Sequence, residues 1–410
     1  MKLSLPTKAY LKNCLVHSTL SRPFALSIND YLADYAFTRP PIMQGELQNT
    51  ISMIYLNEVS SLDDTYWPES ELENILKCPV CGGLERAILH EGLIDNIFYT
   101  APGKWSSWRC LECQCSYLDP RPSRASIHRA YSNYYTHQER VNNTSYTKLN
   151  LFRKLRRVLA NGYINWRYST KNTPASSFGI PLLLCLRPLK NSIDRTYRHM
   201  PRIPAGGGTL LDVGCGNCSF LEVAKSSGWS VVGVDPDDKA IAHGLKEGFD
   251  VKQGGIERFE GEESLFDVIT INHVIEHVHD PVAVLKACHR LLKPTGQLWL
   301  ETPNIDSFGH QHYMENWRGL EPPRHLVLFN SSSLIKALLD AGFSRIKTKS
   351  GLNAQLYMTM ASEAIKQGLS DGAAVSLNWK HYWMMRKNRF LEFIFPSRKE
   401  ILTMVAYKDV

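Results

Sequence analysis

A glycine-rich turn and a carboxylate spaced after it are the residues with the clearest chemistry in this chain. The turn, formed by Gly214, Cys215 and Gly216, follows the apolar run 210–213, and a second apolar run ends on Asp235. Glycines let a backbone approach a ligand closely, and a carboxylate at the tip of a second strand can accept hydrogen bonds from two ribose hydroxyls. The helix-like segment between the runs completes a βαβ unit, which predicts a nucleoside-binding turn. The alternative is a turn that only packs tightly.

The turn departs from the dinucleotide fingerprint, which requires Gly-x-Gly-x-x-Gly. The third glycine is absent, because Ser219 stands in its place. An acid, Asp212, lies two residues before Gly214. Its carboxylate can face the positively charged amino-acid end of a sulfonium cofactor, whereas it would repel a pyrophosphate. We therefore expect a sulfonium nucleoside.

The pattern resembles motif I of the class I S-adenosylmethionine-dependent methyltransferases, and the likeness continues downstream. It is similar to the branch of small-molecule and sugar methyltransferases related to the ubiquinone O-methyltransferases. The similar segments are 266–272 (fourth strand), 273–281 (the loop after it), 291–304 (helix end, turn and fifth strand), 317–325 and 334–343, within a likeness over 205–350 that extends to 395–408.

The resemblance implies an α/β fold with a Rossmann-like, seven-stranded sheet and helices on both faces. In such sheets the ligand lies at the carboxyl ends of the strands. The runs 345–349 and 400–407 are expected to form the last strands, and 377–395 to form a helix that packs on the sheet or caps a pocket. We expect S-adenosylmethionine to contact Asp212, Gly214, Cys215, Gly216, Asp235, Pro236, Gly255, Ile256, Asn272 and His273.

Two cysteine pairs precede this region. Cys78 with Cys81, and Cys110 with Cys113, form C-x2-C…C-x2-C with 28 residues between the pairs. Four thiolates at the corners of a tetrahedron suit a closed structural zinc site, and the long gap predicts an inserted hairpin. Cys115 is a competing ligand. Unliganded reduced thiols and a redox function are the alternatives.

Methyl transfer requires the acceptor at contact distance, exclusion of water and, for a hydroxyl acceptor, removal of a proton. We expect His325 to be the general base, since a near-neutral imidazole suits this task and the resemblance places its loop at the acceptor. His273 is the second choice. A histidine held by hydrogen bonds in a packed loop is the alternative in each case.

His273, Glu276 and His277 also form H-x-x-E-H, the pattern of inverted zinc peptidases. That chemistry needs the motif inside a helix, whereas here it follows an apolar strand and ends at Asp280 and Pro281. In ubiquinone-type O-methyltransferases the similar loop reads E-x-x-E-H, which implies a divalent cation. Because His273 replaces the first glutamate, the resemblance does not carry cation dependence over to this chain.

Composition limits the size of the core, the number of domains and the cellular location that we expect. The 410 residues are 43% apolar, which is enough for a sizeable core, and no run of 18 apolar residues occurs. The start lacks the features of a signal peptide, so we expect a cytoplasmic protein with reduced thiols. The expected order is an extension of unknown role (1–71), a zinc-ribbon-like domain (72–140), a basic helical connector (141–203) and the methyltransferase domain (204–410).

The net charge of +7 is concentrated in the connector. Between Lys148 and Arg202 there are twelve Lys or Arg and one acid, Asp194. A basic amphipathic stretch can lie peripherally on an anionic membrane surface, hold a phosphorylated substrate or contact nucleic acid. A solvated linker helix is the alternative.

The leading hypothesis is a methyltransferase for a small-molecule or saccharide acceptor, with a hydroxyl as the acceptor group, in surface polysaccharide or secondary metabolite synthesis. The alternative is an RNA-modifying methyltransferase that grips phosphates with the ribbon and connector. Against it, the chain after Asn272 lacks the Asn/Asp-Pro-Pro-Tyr turn with which many such enzymes stack a base. A cofactor-binding scaffold without turnover is a third class, and oxygen, nitrogen and carbon acceptors all stay open.

Overall fold

The computed structural model describes residues 66–131, 151–349, 354–369 and 375–409. The predicted extension, apart from its last residues, and the first part of the connector lie outside these residues. The main sheet has the strand order β12-β13-β10-β9-β6-β7-β8, and β13 alone runs in the opposite direction to the other six strands. The strands are β6 (Thr209–Val213), β7 (Ser230–Asp235), β8 (Asp250–Gln253), β9 (Phe266–Asn272), β10 (Leu292–Pro303), β12 (Arg345–Thr348) and β13 (Ile401–Tyr407).

This order confirms the predicted Rossmann-like sheet of seven strands. Successive residues of a strand point to opposite faces, and β6 shows that both faces are covered. Leu210 packs with Phe220 and Trp229 on one face, whereas Leu211 packs with Leu285 on the other. The described helices are α1 (Leu151–Tyr168), α2 (Gly179–Cys185), α3 (Arg187–Thr196), α4 (Ser219–Ser226), α5 (Asp238–Lys246), α6 (Pro281–Leu291), α7 (Phe308–Tyr313), α8 (Ser331–Asp340), α9 (Gln355–Lys366) and α10 (Trp379–Ile394).

The cysteine region forms a second sheet with the strand order β11-β4-β3-β2. The long β2–β3 hairpin fills the gap between the two cysteine pairs, as the spacing predicts. Strand β11 comes from the methyltransferase part of the chain, and it pairs antiparallel with β4. The buried cysteines also share one apolar core with the main sheet. The remaining strands are β1 (Leu72–Glu73), β2 (Arg86–Leu93), β3 (Trp105–Cys110), β4 (Ser116–Leu118), β5 (Arg121–Pro122) and β11 (Val327–Leu328).

The described part of the connector consists of α1, α2 and α3. Asp194, the one acid in this basic segment, is buried and joins α1 to α3, because it accepts hydrogen bonds of 2.8 Å from the hydroxyls of both Tyr163 and Tyr168. The first turns of α1 expose Leu151 and Phe152 to solvent. None of the described helices is long and apolar enough to cross a membrane.

Helix α10 lies in the segment 377–395, for which the sequence predicts a helix that packs on the sheet or caps a pocket. It does form a helix, and Asn378 caps its first turn by accepting hydrogen bonds from the backbone N–H groups of Lys380 and His381. No residue of α10 is buried in the described structure. Its apolar side chains are therefore divided between a half-buried face and a solvent-facing one.

Candidate cofactor and acceptor site

The glycine turn lies between the carboxyl end of β6 and helix α4. Gly214 and Gly216 both have positive φ, at 73° and 50°. A Cβ on Gly214 would lie 2.3 Å from Cγ2 of Val274, so this position admits no side chain. The turn thus combines a left-handed backbone with close approach to the loop after β9, and both features need glycine.

Asp235 at the end of β7 holds this turn in shape. Its carboxylate accepts hydrogen bonds from the backbone N–H of Gly216 (2.8 Å) and of Asp237 (3.0 Å). The side chain lies at the carboxyl edge of the sheet, where a ribose would be bound in this fold. Its predicted contact with two ribose hydroxyls stays a prediction.

The remaining predicted cofactor contacts lie at the same edge. Pro236 follows β7 and is exposed, while Gly255 and the buried Ile256 follow β8. Asn272 is the last residue of β9 and is half-buried, and Cys215 is buried in the turn itself. The structure therefore brings the ends of four neighbouring strands together around one position.

Asp212 is fully buried below the turn and forms an ion pair that the sequence motif does not reveal. Arg198, which follows α3, donates a hydrogen bond to Oδ1 of Asp212 and another of 2.9 Å to the hydroxyl of Thr270. Its guanidinium carbon lies 3.8 Å from the ring centre of Phe220. Oδ2 of Asp212 has no hydrogen-bond partner among the described residues. Burial raises the pKa of Asp212, and the charge of Arg198 opposes that shift.

These groups fit the amino-acid end of S-adenosylmethionine. A buried carboxylate oxygen without a partner is costly, and the cofactor's ammonium group can supply the missing donor. The guanidinium of Arg198 beside it suits the cofactor's carboxylate. In the sequence Arg198 is only one charge of a basic segment, and no motif marks it.

His273 follows β9 with a positive φ of 53° and lies among charged groups. Its Nδ1 is 3.2 Å from Glu276 Oε1, and its Nε2 is 3.7 Å from Glu301 Oε1. Arg195 of the connector donates to Glu301 as well. Burial opposes protonation of the imidazole, but the two carboxylates outweigh it and raise the pKa of His273 to about 9. A protonated imidazole cannot accept a proton, so this geometry favours a binding role for His273.

His325, the expected general base, is buried. Its Nδ1 donates a hydrogen bond of 2.7 Å to the carbonyl of Gly319, which leaves the lone pair on Nε2. Burial lowers the pKa of His325 to about 4, although the nearby carboxylate of Glu321 acts in the opposite direction. At neutral pH the lone pair on this nitrogen can accept a proton or bind a metal ion, but a pKa of about 4 makes His325 a weaker base than the near-neutral imidazole that the sequence predicts.

Glu276, His277 and His325 form a cluster in which their ligand atoms all lie within 4.8 Å of one another. Glu276 and His277 belong to a single 3-10 turn after β9 rather than to a helix, which is unlike the helical peptidase motif. His277 Nδ1 donates to the carbonyl of Arg324 at 3.0 Å, so its Nε2 lone pair is available. Two imidazoles and one carboxylate suit a first-row divalent cation. His325 thus brings a third donor from a loop that the H-x-x-E-H pattern does not include.

The loop that carries His325 is tied to the cysteine region by Arg324, which is fully buried. Its guanidinium donates to both carboxylate oxygens of Asp95 and, at 3.1 Å, to Glu321. It also donates to the carbonyl of Ala130 at 2.9 Å. Asp95 was not identified from the sequence, because nothing local to it signals a partner in the methyltransferase part.

The four predicted zinc ligands come together in the cysteine region. Cys78 Sγ lies 3.6 Å from Cys113 Sγ, and Cys81 Sγ lies 3.5 Å from Cys110 Sγ. Sulfur atoms around a tetrahedral zinc ion with Zn–S distances of about 2.3 Å are about 3.8 Å apart. The thiols therefore fit such an ion. Cys115 Sγ is 3.4 Å from Cys78 Sγ and stays a competing ligand.

Comparison with known proteins identifies the domain. A family model described as a methyltransferase domain matches residues 187–348. The ubiquinone biosynthesis O-methyltransferase of Pseudomonas paraeruginosa is 40% identical over 110 residues, which are 25% of this chain and 47% of that protein. The enzyme of the same name from Nitrosospira multiformis is 29% identical over 180 residues, 42% of this chain and 74% of that protein. The chain spans about half the length of most of the ubiquinone biosynthesis O-methyltransferases that it matches, 47% for each of three Pseudomonas enzymes.

A solved S-adenosylmethionine-dependent methyltransferase from Archaeoglobus fulgidus is 20% identical, with a TM-score of 0.38 over 54% of this chain and 94% of that one. The strand order, the glycine turn and the family match define residues 187–348 as a class I methyltransferase domain. More particularly, this is a domain of the S-adenosylmethionine-dependent type, with relatives among the ubiquinone O-methyltransferases. S-adenosylmethionine is the cofactor of this family.

Proposed function

We propose that the protein transfers a methyl group from S-adenosylmethionine to a hydroxyl of a small or carbohydrate-like acceptor. The observation that carries the proposal is the buried Asp212 carboxylate beside a turn that requires glycine, because its Oδ2 has no hydrogen-bond partner in the described part of the chain. When bound, the cofactor supplies an electrophilic methyl group on a sulfonium centre. Asp212, Arg198 and Asp235 would hold it at the ends of β6 and β7.

The chain's own residues account for the acceptor side in this proposal. His325 takes the hydroxyl proton on Nε2, and the hydrogen bond from Nδ1 to Gly319 fixes the tautomer that leaves Nε2 free for this task. His273, as a cation, binds an electron-rich part of the acceptor. If a divalent cation occupies Glu276, His277 and His325 instead, then His325 is a ligand and the cation lowers the acceptor's pKa.

Calorimetry with S-adenosylmethionine tests the cofactor step. Asp212→Asn should weaken binding by about 10- to 100-fold, because a charge-assisted hydrogen bond contributes about 1.5–3 kcal/mol. Asp250→Asn is the matched control, since Asp250 is exposed at the amino end of β8. Tight binding of a nicotinamide dinucleotide without binding of S-adenosylmethionine would refute the proposal.

The acceptor step needs a second assay. Release of S-adenosylhomocysteine is measured with catechol and with methyl glycosides as probes, before and after treatment with a chelator. His325→Gln should lower turnover by about 10²- to 10⁴-fold without changing cofactor affinity if His325 is the base. Full activity of this variant would contradict its assignment. If the protein shifts labelled RNA in a gel in a salt-dependent manner, the result would favour the RNA-modifying alternative.

The location of the protein is also a proposal. A cytoplasmic protein that contacts the inner membrane face peripherally through the connector agrees with the exposed Leu151, Phe152 and Leu155 of α1, which lie among arginines and a lysine. Not all of the connector's charge is available for that contact. Arg195 and Arg198 turn inward to Glu301 and Asp212.

A further inference from the structure

Helix α10 presents an aromatic and apolar face to solvent. Six of its side chains are between 43% and 84% exposed. At 3.6 residues per turn these six positions lie within about one third of the helix circumference. They are Trp379, Tyr382, Trp383, Phe390, Phe393 and Ile394.

The opposite face of α10 rests on the protein. Its members are half-buried. They include Met384, which packs against the apolar cluster that contains Trp317, and His381, whose Nε2 lies 3.3 Å from Glu363 Oε2. The contacts of the half-buried face fix the orientation of α10. The aromatic face, on the opposite side of the helix, therefore points to solvent. The half-buried positions are His381, Met384, Met385, Asn388, Leu391 and Glu392.

Basic residues accompany the aromatic face. From Trp379 to Ile394 the helix contains four Lys or Arg and one acid, Glu392, which gives a net charge of +3. On the helical projection Lys387 and Arg389 flank the aromatic face on its two sides, and Arg386 lies within it. Aromatic residues are enriched at the interface of a bilayer, and Lys and Arg bind its anionic headgroups.

We infer that the aromatic face of α10 binds the surface of an anionic lipid bilayer, with the helix lying in the plane of the interface. A second copy of the chain is a poorer partner, because an isologous contact would bring together two helices that each carry a net charge of +3. The helix is anchored at the edge of the sheet where the site lies, since Asn304 at the end of β10 donates to the carbonyls of Ser397 (2.8 Å) and Lys399 (2.6 Å). This inference does not depend on methyl transfer.

Sedimentation of the full chain with vesicles tests the inference. Vesicles of phosphatidylcholine that contain phosphatidylglycerol should bind the protein, pure phosphatidylcholine vesicles should bind it weakly, and added salt should release it. Trp383→Glu with Phe390→Glu should lower the partition coefficient at least about 10-fold, and so should Arg386→Glu with Lys387→Glu. Leu339→Glu, at an exposed apolar position of α8, is the matched control and should bind like the parent chain.

Three results would overturn the inference. The first is no binding to anionic vesicles by a chain that melts cooperatively. The second is binding that survives both α10 variants but is lost in Phe152→Glu, which would assign the contact to the connector. The third is a dimer that dissociates in the Trp383→Glu and Phe390→Glu variant without any vesicle binding, which would make a second copy the partner. The melting temperature of each variant shows whether it folds.

Discussion

The bond between Asp95 and Arg324 should be among the most important single ion pairs for stability. Arg324 is fully buried, and it contacts both oxygens of Asp95. The same carboxylate accepts hydrogen bonds from the backbone N–H groups of Thr100 (2.9 Å) and Ala101 (3.1 Å). The change Asp95→Asn keeps the side chain's size and removes its charge.

The expected magnitude follows from the burial of both partners. Removal of one partner of a buried ion pair costs about 3–5 kcal/mol, because the other charge stays buried without compensation. Glu321 remains as a second partner of Arg324 at 3.1 Å, so we expect the lower end, about 3 kcal/mol. The melting temperature should fall by about 5 °C. The loop of His325 should loosen as well, and turnover should fall more than cofactor affinity.

Urea unfolding of Asp95→Asn, Arg324→Met and the double variant measures the coupling between the two residues. Arg345→Gln is the control, since its ion pair with Asp409 is largely exposed and should contribute at most about 1 kcal/mol. If Asp95→Asn costs no more than this control, or if the two changes are additive, then the pair does not join the cysteine region to the loop.

Other predictions concern the turn, the metal site and pH. Gly214→Ala should abolish cofactor binding in calorimetry, whereas Gly248→Ala should not, because both have positive φ but only the first meets a neighbouring side chain. Cys110→Ser should lose zinc in elemental analysis and Cys115→Ser should retain it. Since burial lowers the pKa of His325 from 6.5 to about 4, the unfolded chain binds more protons between these pH values, and stability should fall as pH falls through this window. His325→Gln should flatten that slope in urea titrations, and an unchanged slope would contradict the burial argument.

Short sequence patterns predict those parts of the site whose residues lie close together in the sequence. The turn at Gly214, the acid Asp235 and the cysteine pairs each follow from residue types at short spacing, whereas the seven-stranded sheet follows from the resemblance to the class I methyltransferases. The partner of Asp212 could not be found in this way, because Arg198 lies in a segment whose only signal is charge. The Arg324–Asp95 pair joins residues 229 positions apart, and no short pattern reports such a contact.

Helix α10 shows a second limit. Its composition predicts a helix with aromatic residues on one side and methionines on the other. Because both sides carry apolar residues, periodicity does not predict which side packs against the protein. That choice depends on contacts such as the one between His381 and Glu363. The role of His273 is limited in the same way, since its charge depends on Glu301 of the neighbouring strand.

The pairing of β11 with β4 determines which fragments of the chain can exist alone. Val327 and Leu328 complete the sheet of the cysteine region directly after His325 and Leu326. A fragment that starts near residue 204 would leave this strand without a neighbour and Arg324 without its carboxylate, and both are costly. We expect such a fragment to be insoluble. Transplanting this methyltransferase domain, by gene fusion or by evolution, would require the cysteine region to move with it.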